Sequence, residues 1–286
     1  MIKLKNKFFI AFCISILLGL SSAAICCADT DQVEVPLTNP SKAALVKVKL
    51  IHGSITVTGY NGKNVSVEAA LGEDKSGHEH DVDVDMDAEK DKKKTKGMYR
   101  ISNNSTGLTV IEENNEVTIT TPPHFRFIKL TIKVPVKSSL NLRDVNGGFI
   151  NVENVDGDLE VKHTNGPINL INVSGTVVAN TTNGDVKVTF IRINLDKPMS
   201  FTTFNGDVDV TFPDNAKFNL KMKTERGDIY SDFKLDLKPS SPVKQAEKKD
   251  GKFKVTFDKS TLAALNGGGE EVTLKTFNGD IYIRKK

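Results

Sequence analysis

The densest set of potential metal ligands in the chain is His78-x-His80 followed by Asp81, Asp83, Asp85 and Asp87. Imidazole together with carboxylates can hold zinc, nickel or calcium loosely. Val82 and Val84 alternate with these acids as on a half-buried strand, and nine acidic residues against two lysines between Glu73 and Asp91 also read as a solvated segment. A second carboxylate set is periodic: Asp185, Asp207, Asp228 and Asp280 each follow a turn glycine. If the segments carrying them stack, Asp185, Asp207 and Asp228 form a column that could bind a hard cation such as calcium or act on glycosidic bonds. Asp is also a turn residue that points into water, with lysines such as Lys187 moderating the repulsion. Nothing in the column separates an acid from a base, so no residue is assigned a catalytic role and no cofactor is expected.

Other motifs are weaker. Arg226-Gly227-Asp228 spells an integrin-recognition tripeptide, but it falls where sister segments have Asn-Gly-Asp, which explains its Gly and Asp without a receptor. His52, His124 and His163 stand alone, and no Gly-x-Ser-x-Gly, His-Glu-x-x-His or phosphate-cradling glycine loop is present. The chain has no Trp, which weakens a sugar-binding platform and leaves Tyr60, Tyr230 and Tyr282 as aromatic candidates.

The elements that must position these residues are set by an internal repeat. Asn-Gly occurs at Asn146, Asn165, Asn183, Asn205 and Asn278, with His52-Gly53 and Arg226-Gly227 as variants. Successive spacings from Asn146 are 19, 18, 22 and 21 residues, then 52 from Arg226 to Asn278. Three and five residues after the Asn come Ile168 and Leu170, Val186 and Val188, Val208 and Val210, and Ile281 and Ile283; His52 is followed by Ile55 and Val57 on the same count. After Asn146 the pair Ile150 and Val152 comes one place late, as if Gly148 were a bulge, and Arg226 is followed by Ile229 but then Ser231. Half-way turns at Asp156-Gly157-Asp158 and Ser174-Gly175-Thr176 complete a unit of strand, turn, strand, turn.

Alternation with period two places one side of each strand inward. Antiparallel hairpins in a sandwich would use this pattern, and so would parallel coils stacked about 4.8 Å apart. The near-identity of whole repeats favours the second, an all-β, right-handed parallel β-helix or solenoid-like stack of ~20-residue two-strand coils, each repeat on the previous one. Stacked Asn side chains would then bond along the axis. Charged insertions at about 72–97 and 234–259 interrupt the rhythm, and Leu108 to Ile111, Glu116 to Thr120 and Phe127 to Val134 alternate like strands that complete the early coils or pair as a hairpin.

Residues 1–28 read as a secretory signal: three lysines, an apolar run from Phe8 to Leu20 and a small-residue exit, with Asp29 opening the mature chain. Residues 29–286 are then a single solenoid domain without a transmembrane span. All three cysteines, Cys13, Cys26 and Cys27, lie in this leader, so plain export leaves no disulfide or thiol chemistry. Lipoprotein anchoring at Cys27 is disfavoured by Ile25 and Cys26 before it. Removing Lys3, Lys5 and Lys7 leaves 36 basic and 36 acidic side chains, a balance that argues against a nucleic-acid partner.

The run from Leu130-Thr131-Ile132-Lys133-Val134-Pro135 through Asn146-Gly147, Asp156-Gly157-Asp158, Asn165-Gly166 and Asn183-Gly184-Asp185, closed by Asn278-Gly279-Asp280-Ile281-Tyr282-Ile283, resembles the bacterial putative-adhesin domain family. The resemblance spans about Val46 to Ile283 and implies a β-solenoid in the periplasm or at the cell surface. It carries over no catalytic residues. The expected role is a non-catalytic adhesin-like or envelope scaffold protein whose partner is an envelope, matrix or host polymer or protein. The alternatives are a polysaccharide-acting β-helix enzyme and a periplasmic sensor or accessory protein.

Overall fold

The structure, a computed structural model, describes residues 30–72, 105–122, 126–238, 244–249, 252–257 and 260–286, and every regular element among them is a strand. The chain opens with β1 (Thr30–Pro36), β2 (Ala44–Lys49), β3 (Gly53–Tyr60) and β4 (Asn64–Leu71). Then come β5 (Thr109–Glu113), β6 (Glu116–Thr120) and β7 (Ile128–Pro135). Two-strand coils follow: β8 (Ser138–Asn146) with β9 (Ile150–Glu153), β10 (Leu159–Asn165) with β11 (Ile168–Gly175), and β12 (Val177–Asn180) with β13 (Val186–Ile193). After them come β14 (Met199–Thr202) with β15 (Val208–Phe212), and β16 (Phe218–Lys223) with β17 (Ile229–Ser231). An excursion of β18 (Asp236–Lys238), β19 (Lys244–Lys249), β20 (Lys252–Phe257) and β21 (Thr261–Leu265) precedes the closing coil, β22 (Glu271–Lys275) with β23 (Ile281–Lys285).

The first strand of each coil lies in one sheet and the second in another. Sheet I runs β1-β4-β7-β3-β9-β11-β13-β15-β23-β17, and sheet II runs β18-β21-β16-β22-β14-β12-β10-β8-β2-β6-β5. Pairing between coils is parallel and in register: Ile55 with Ile150, Ile150 with Ile168, Ile168 with Val186, Val186 with Val208 and Val208 with Ile281. Alternation predicts this outcome, because a parallel slip of one residue would turn every Val and Ile outward. Inward residues of both sheets form one continuous core. Toward one end it carries Phe190, Phe201, Phe212 and Phe218, with Phe190 stacked on Phe212 at 5.6 Å. The extra residue after Asn146 is absorbed at the corner, where Gly147 and Gly148 both take positive φ and Ile150 returns to register.

Stacking of each repeat on its predecessor fails at one point. β22 and β23 insert between the β14–β15 coil and the β16–β17 coil, so the last segment of the chain is a middle layer of the stack. The residues explain the order. β23 offers Ile281 and Ile283 to match Val208 and Val210, whereas β17 is three residues long and has exposed Ser231 in place of the second apolar residue. An incomplete coil belongs at an end, where only one side must be matched.

Both ends of the stack change to antiparallel pairing. β1 pairs with β4 and β4 with β7 in sheet I, and β5 with β6 in sheet II. At the opposite end β21 pairs antiparallel with β16 and β18 with β21. These antiparallel strands cover coil edges that would otherwise template association, except at the β17 end of sheet I, where the edge is a parallel strand of only three residues. Thus Leu108 to Ile111 and Glu116 to Thr120 fall in the β5–β6 hairpin, and β7 joins the first coil by pairing parallel with β3. In the second charged stretch β19 and β20 form a separate two-stranded antiparallel sheet. Among the described residues no helix is long and apolar enough to cross a membrane.

Candidate functional site

The corner where sheet II passes into sheet I carries the repeated polar residues, and each is held by the coil beside it. The Nδ2 of Asn165 donates to Oδ1 of Asn146 at 2.8 Å, Asn183 to Asn165 at 2.8 Å, Asn205 to Asn183 at 2.7 Å and Asn278 to Asn205 at 2.7 Å. An amide has one donor side and one acceptor side, so a column of Asn bonds to itself indefinitely. His52 and Arg226 continue the line at its two ends through backbone bridges to Asn146 and Asn278.

Glycine follows each Asn because the coils approach most closely there. A Cβ on Gly206, at φ +141°, would lie 2.3 Å from the Gly184 carbonyl oxygen. Two residues before the Asn, Thr181, Thr203, Thr276 and Thr224 donate their hydroxyls to the carbonyls of Gly166, Gly184, Gly206 and Gly279 at 2.8–2.9 Å. This threonine column went unread in the sequence, although its fixed offset from the Asn was there to find.

The structure brings Asp185, Asp207 and Asp228 into one column and places Asp280 between Asp207 and Asp228. Oδ1 of Asp185 accepts the backbone N–H of Asp207 at 2.9 Å, Asp207 accepts that of Asp280 at 2.8 Å and Asp280 that of Asp228 at 2.8 Å. One carboxylate oxygen of each of these three is thereby committed to the next coil. Arg226-Gly227-Asp228 occupies the end coil, exposed, with its Gly and Asp in the same columns as the sister turns. His78, His80, Asp81, Asp83 and Asp85 lie outside the described residues, as does His124. Among the described residues no group of three or more His, Cys, Asp or Glu is placed to hold a metal ion.

Aromatic side chains cluster near the same end. Phe204 and Phe277, each just before the ladder Asn, stack with ring centroids 4.7 Å apart and planes 7° apart, and the Arg226 guanidinium lies 5.9 Å from the Phe277 centroid. On the outer face of sheet I, Tyr230 and Tyr282 stack at 5.3 Å, with Arg284 5.0 Å from the Tyr282 ring. The Tyr282 hydroxyl donates to Asp280 at 3.0 Å, which raises its pKa, and the charge of Asp228 raises that of Tyr230. Tyr60 lies apart, at the end of β3, its hydroxyl donating to the Asn64 carbonyl. Sequence reasoning found the tyrosines but not the phenylalanines, whose position beside the ladder becomes visible only once the coil order is known.

One buried ionisable pair was also missed. Asp144 and His163 occupy the threonine position in their coils, and Asp144 Oδ2 lies 3.4 Å from His163 Nε2 with both side chains fully buried. Asp144 Oδ1 accepts the Val145 N–H at 2.8 Å, while Oδ2 and both ring nitrogens of His163 lack a hydrogen bond of good geometry. Burial raises Asp144 to about 7 and lowers His163. His163 is therefore not solitary; it stands over an acid that is 19 residues earlier and one coil away. His52, by contrast, packs edge-on against Phe127 at 5.4 Å.

A parallel stack with an asparagine ladder and a close-packed glycine corner defines a β-solenoid repeat architecture rather than a sandwich of hairpins. Residues 146–284 match the family model described as Toastrack DUF4097. The resemblance drawn from the turn motifs is borne out, although the match starts at the first ladder Asn and leaves the hairpins and first coil before it unassigned. Solved structures similar to this chain include a "putative cell adhesion protein" of Clostridium sporogenes, at 11% identity and TM-score 0.42, covering 90% of this chain and 100% of that one. Another is a "putative adhesin" of Bacteroides fragilis, at 10% identity and TM-score 0.32, covering 89% and 96%. A third, from Parabacteroides merdae, has 9% identity and TM-score 0.29, covering 89% and 95%. No curated protein matches the chain.

Proposed function

We propose that this chain is an exported, non-catalytic adhesin-like or scaffold protein that binds an envelope, matrix or host polymer along the outside of its coils. The observation that carries the reading is the unbroken register of like residues at the ladder corner, from His52 through the asparagines to Arg226. Six strand steps at about 4.8 Å make a straight edge of roughly 29 Å. Each rung is fixed by its neighbours, so the edge presents groups to a partner with little conformational entropy left to lose. An extended, repetitive and rigid surface suits an extended, repetitive partner. Export is supported by the lysine, apolar and small-residue pattern of residues 1–28.

The test is incubation of the full chain with a panel of cell-wall, matrix and capsular polysaccharides, scoring retention of protein and size of polymer. Retention by at least one polymer, recovered at its original size, is the expected result. Shortening of a retained polymer would replace this reading with a polysaccharide-acting enzyme, and retention by none would remove it.

A further inference from the structure

The outward row of sheet II nearest the ladder corner is cationic over most of its length. In register across neighbouring strands stand Lys49, Arg143 and Lys162, then Asn180 and Thr202, then Lys275 and Lys223. Each lies three residues before its ladder residue, and the row contains no acid. The matching outward row of sheet I, on the other side of the corner, is mixed and includes Asn169, Lys187, Asp209 and Tyr282. Like charges on adjacent strands are about 5 Å apart and repel, each such pair costing a few tenths of a kcal/mol or more. Local carboxylates offset only part of this. Glu160 serves both Lys162 at 2.6 Å and Arg143 at 3.6 Å, and Glu225 serves Lys223 at 3.1 Å.

Between the two cationic blocks the corner carries an aromatic face. Phe204 is two residues beyond Thr202, on the same side of the chain, and is 48% exposed. One of its faces is covered by Phe277; the next coil has Thr182 at the equivalent position, so the other face ends the stack beside a small side chain. A flat apolar face there and cations on both sides along the axis form one track.

We propose that this track binds a linear acidic polysaccharide laid along the solenoid axis. The anionic groups of the polymer meet Lys49, Arg143 and Lys162 at one end and Lys275, Lys223 and Arg226 at the other, while the C–H face of a sugar ring rests on Phe204. Glu160 and Glu225 accept sugar hydroxyls. A single-stranded nucleic acid would find a single stacking face instead of the series that successive bases need. The inference rests on the proposed binding function and names its ligand class.

The probe is fluorescent polygalacturonate titrated with the full chain, beside uncharged dextran and oligothymidylate. Three sets of substitutions are compared: Lys49→Glu/Arg143→Glu/Lys162→Glu on the track, Phe204→Ser beside it, and Lys129→Glu/Lys133→Glu/Lys187→Glu on exposed positions of sheet I. The milder Lys49→Gln/Arg143→Gln/Lys162→Gln variant serves if charge reversal prevents folding. Polygalacturonate affinity is expected to fall at least about tenfold in the track variant, a loss of about 1.4 kcal/mol. It should fall about threefold or more in Phe204→Ser, as loss of an aromatic contact implies, stay unchanged in the sheet I variant, and weaken as salt is raised. Equal losses from the two triple variants, or tighter binding of oligothymidylate, would overturn the track. Dextran bound as tightly as polygalacturonate would overturn it and spare the binding function. No binding of any polymer would overturn the track and count against that function as well.

Discussion

Gly279→Ala is expected to destabilise the chain by roughly 3–5 kcal/mol, combining backbone strain with overpacking at one site. Gly279 has φ +149°, and a Cβ there would sit 2.0 Å from the Gly206 carbonyl oxygen and 2.8 Å from Oδ1 of Asp207. Neither atom can yield easily. The Asp207 carboxylate holds the N–H of Asp280, and the adjacent rungs join Gly206 N–H to Asn278 O at 2.9 Å and Gly279 N–H to Arg226 O at 3.0 Å. Because the coil carrying Gly279 is the one threaded between β15 and β17, the substitution also loosens the end coil stacked on it. Gly267→Ala is the control: φ is +94°, but nothing lies within 4 Å of its added Cβ. Its cost is expected to be only about 1 kcal/mol, from backbone strain alone. Urea denaturation of the two variants gives the comparison. Near-equal losses would mean that the coils do not approach as closely at this corner as described.

The second large effect is a pH dependence that Asp144→Asn removes. An Asp raised to about 7 in the folded chain holds its proton more tightly than the unfolded chain does. Its contribution to stability is therefore full below about pH 4 and is lost as pH rises toward 7, a difference of roughly 4 kcal/mol at most. His163 acts in the opposite sense. Lowered by burial, it leaves the folded state unpenalised above about pH 6.5 and costs stability as pH falls below that. Below about pH 6.5 the two slopes oppose each other, and above it the acid alone acts. Asn keeps the acceptor for the Val145 N–H without a charge to bury. Asp144→Asn is expected to stabilise the chain at pH 8 by about 2–4 kcal/mol and to leave it little changed at pH 4. Denaturant midpoints at the two pH values test this. Lower stability of the variant at pH 8 would mean that the ionised acid is paired in the fold, with His163 holding the proton.

Much of this architecture was legible in the chain because it is periodic. The offset from Asn to the apolar pair is the same in nearly every coil, and it fixes both which side faces inward and which residues meet across coils. The coil around Asn278 shows where such reading stops. Its motif is as good as any other, but motif quality alone does not say that it lies beside Asn205 instead of Arg226; that choice depends on Ile283 fitting where Ser231 does not. The Asp column illustrates a different limit. Its existence follows from spacing, whereas the commitment of Oδ1 to the next backbone N–H follows from the separation of stacked strands. Asp144 escaped notice, and His163 read as solitary, because each looks unremarkable beside its chain neighbours. Only alignment on the ladder Asn puts both at a position where four other coils have Thr. The cationic row and the Phe204–Phe277 stack required the same alignment and the true coil order.

The measurement that bears most directly on a rigid edge binding an extended polymer is affinity against oligomer length, using galacturonate oligomers from two sugars upward and the full chain. Affinity is expected to rise with length until the oligomer spans the edge of roughly 29 Å and then level off, with every oligomer recovered at its starting length. An affinity already maximal for the shortest oligomers would point to a single compact pocket, and oligomers returned shortened would point to an enzyme. Either result would contradict the solenoid edge as an extended, non-catalytic binding surface.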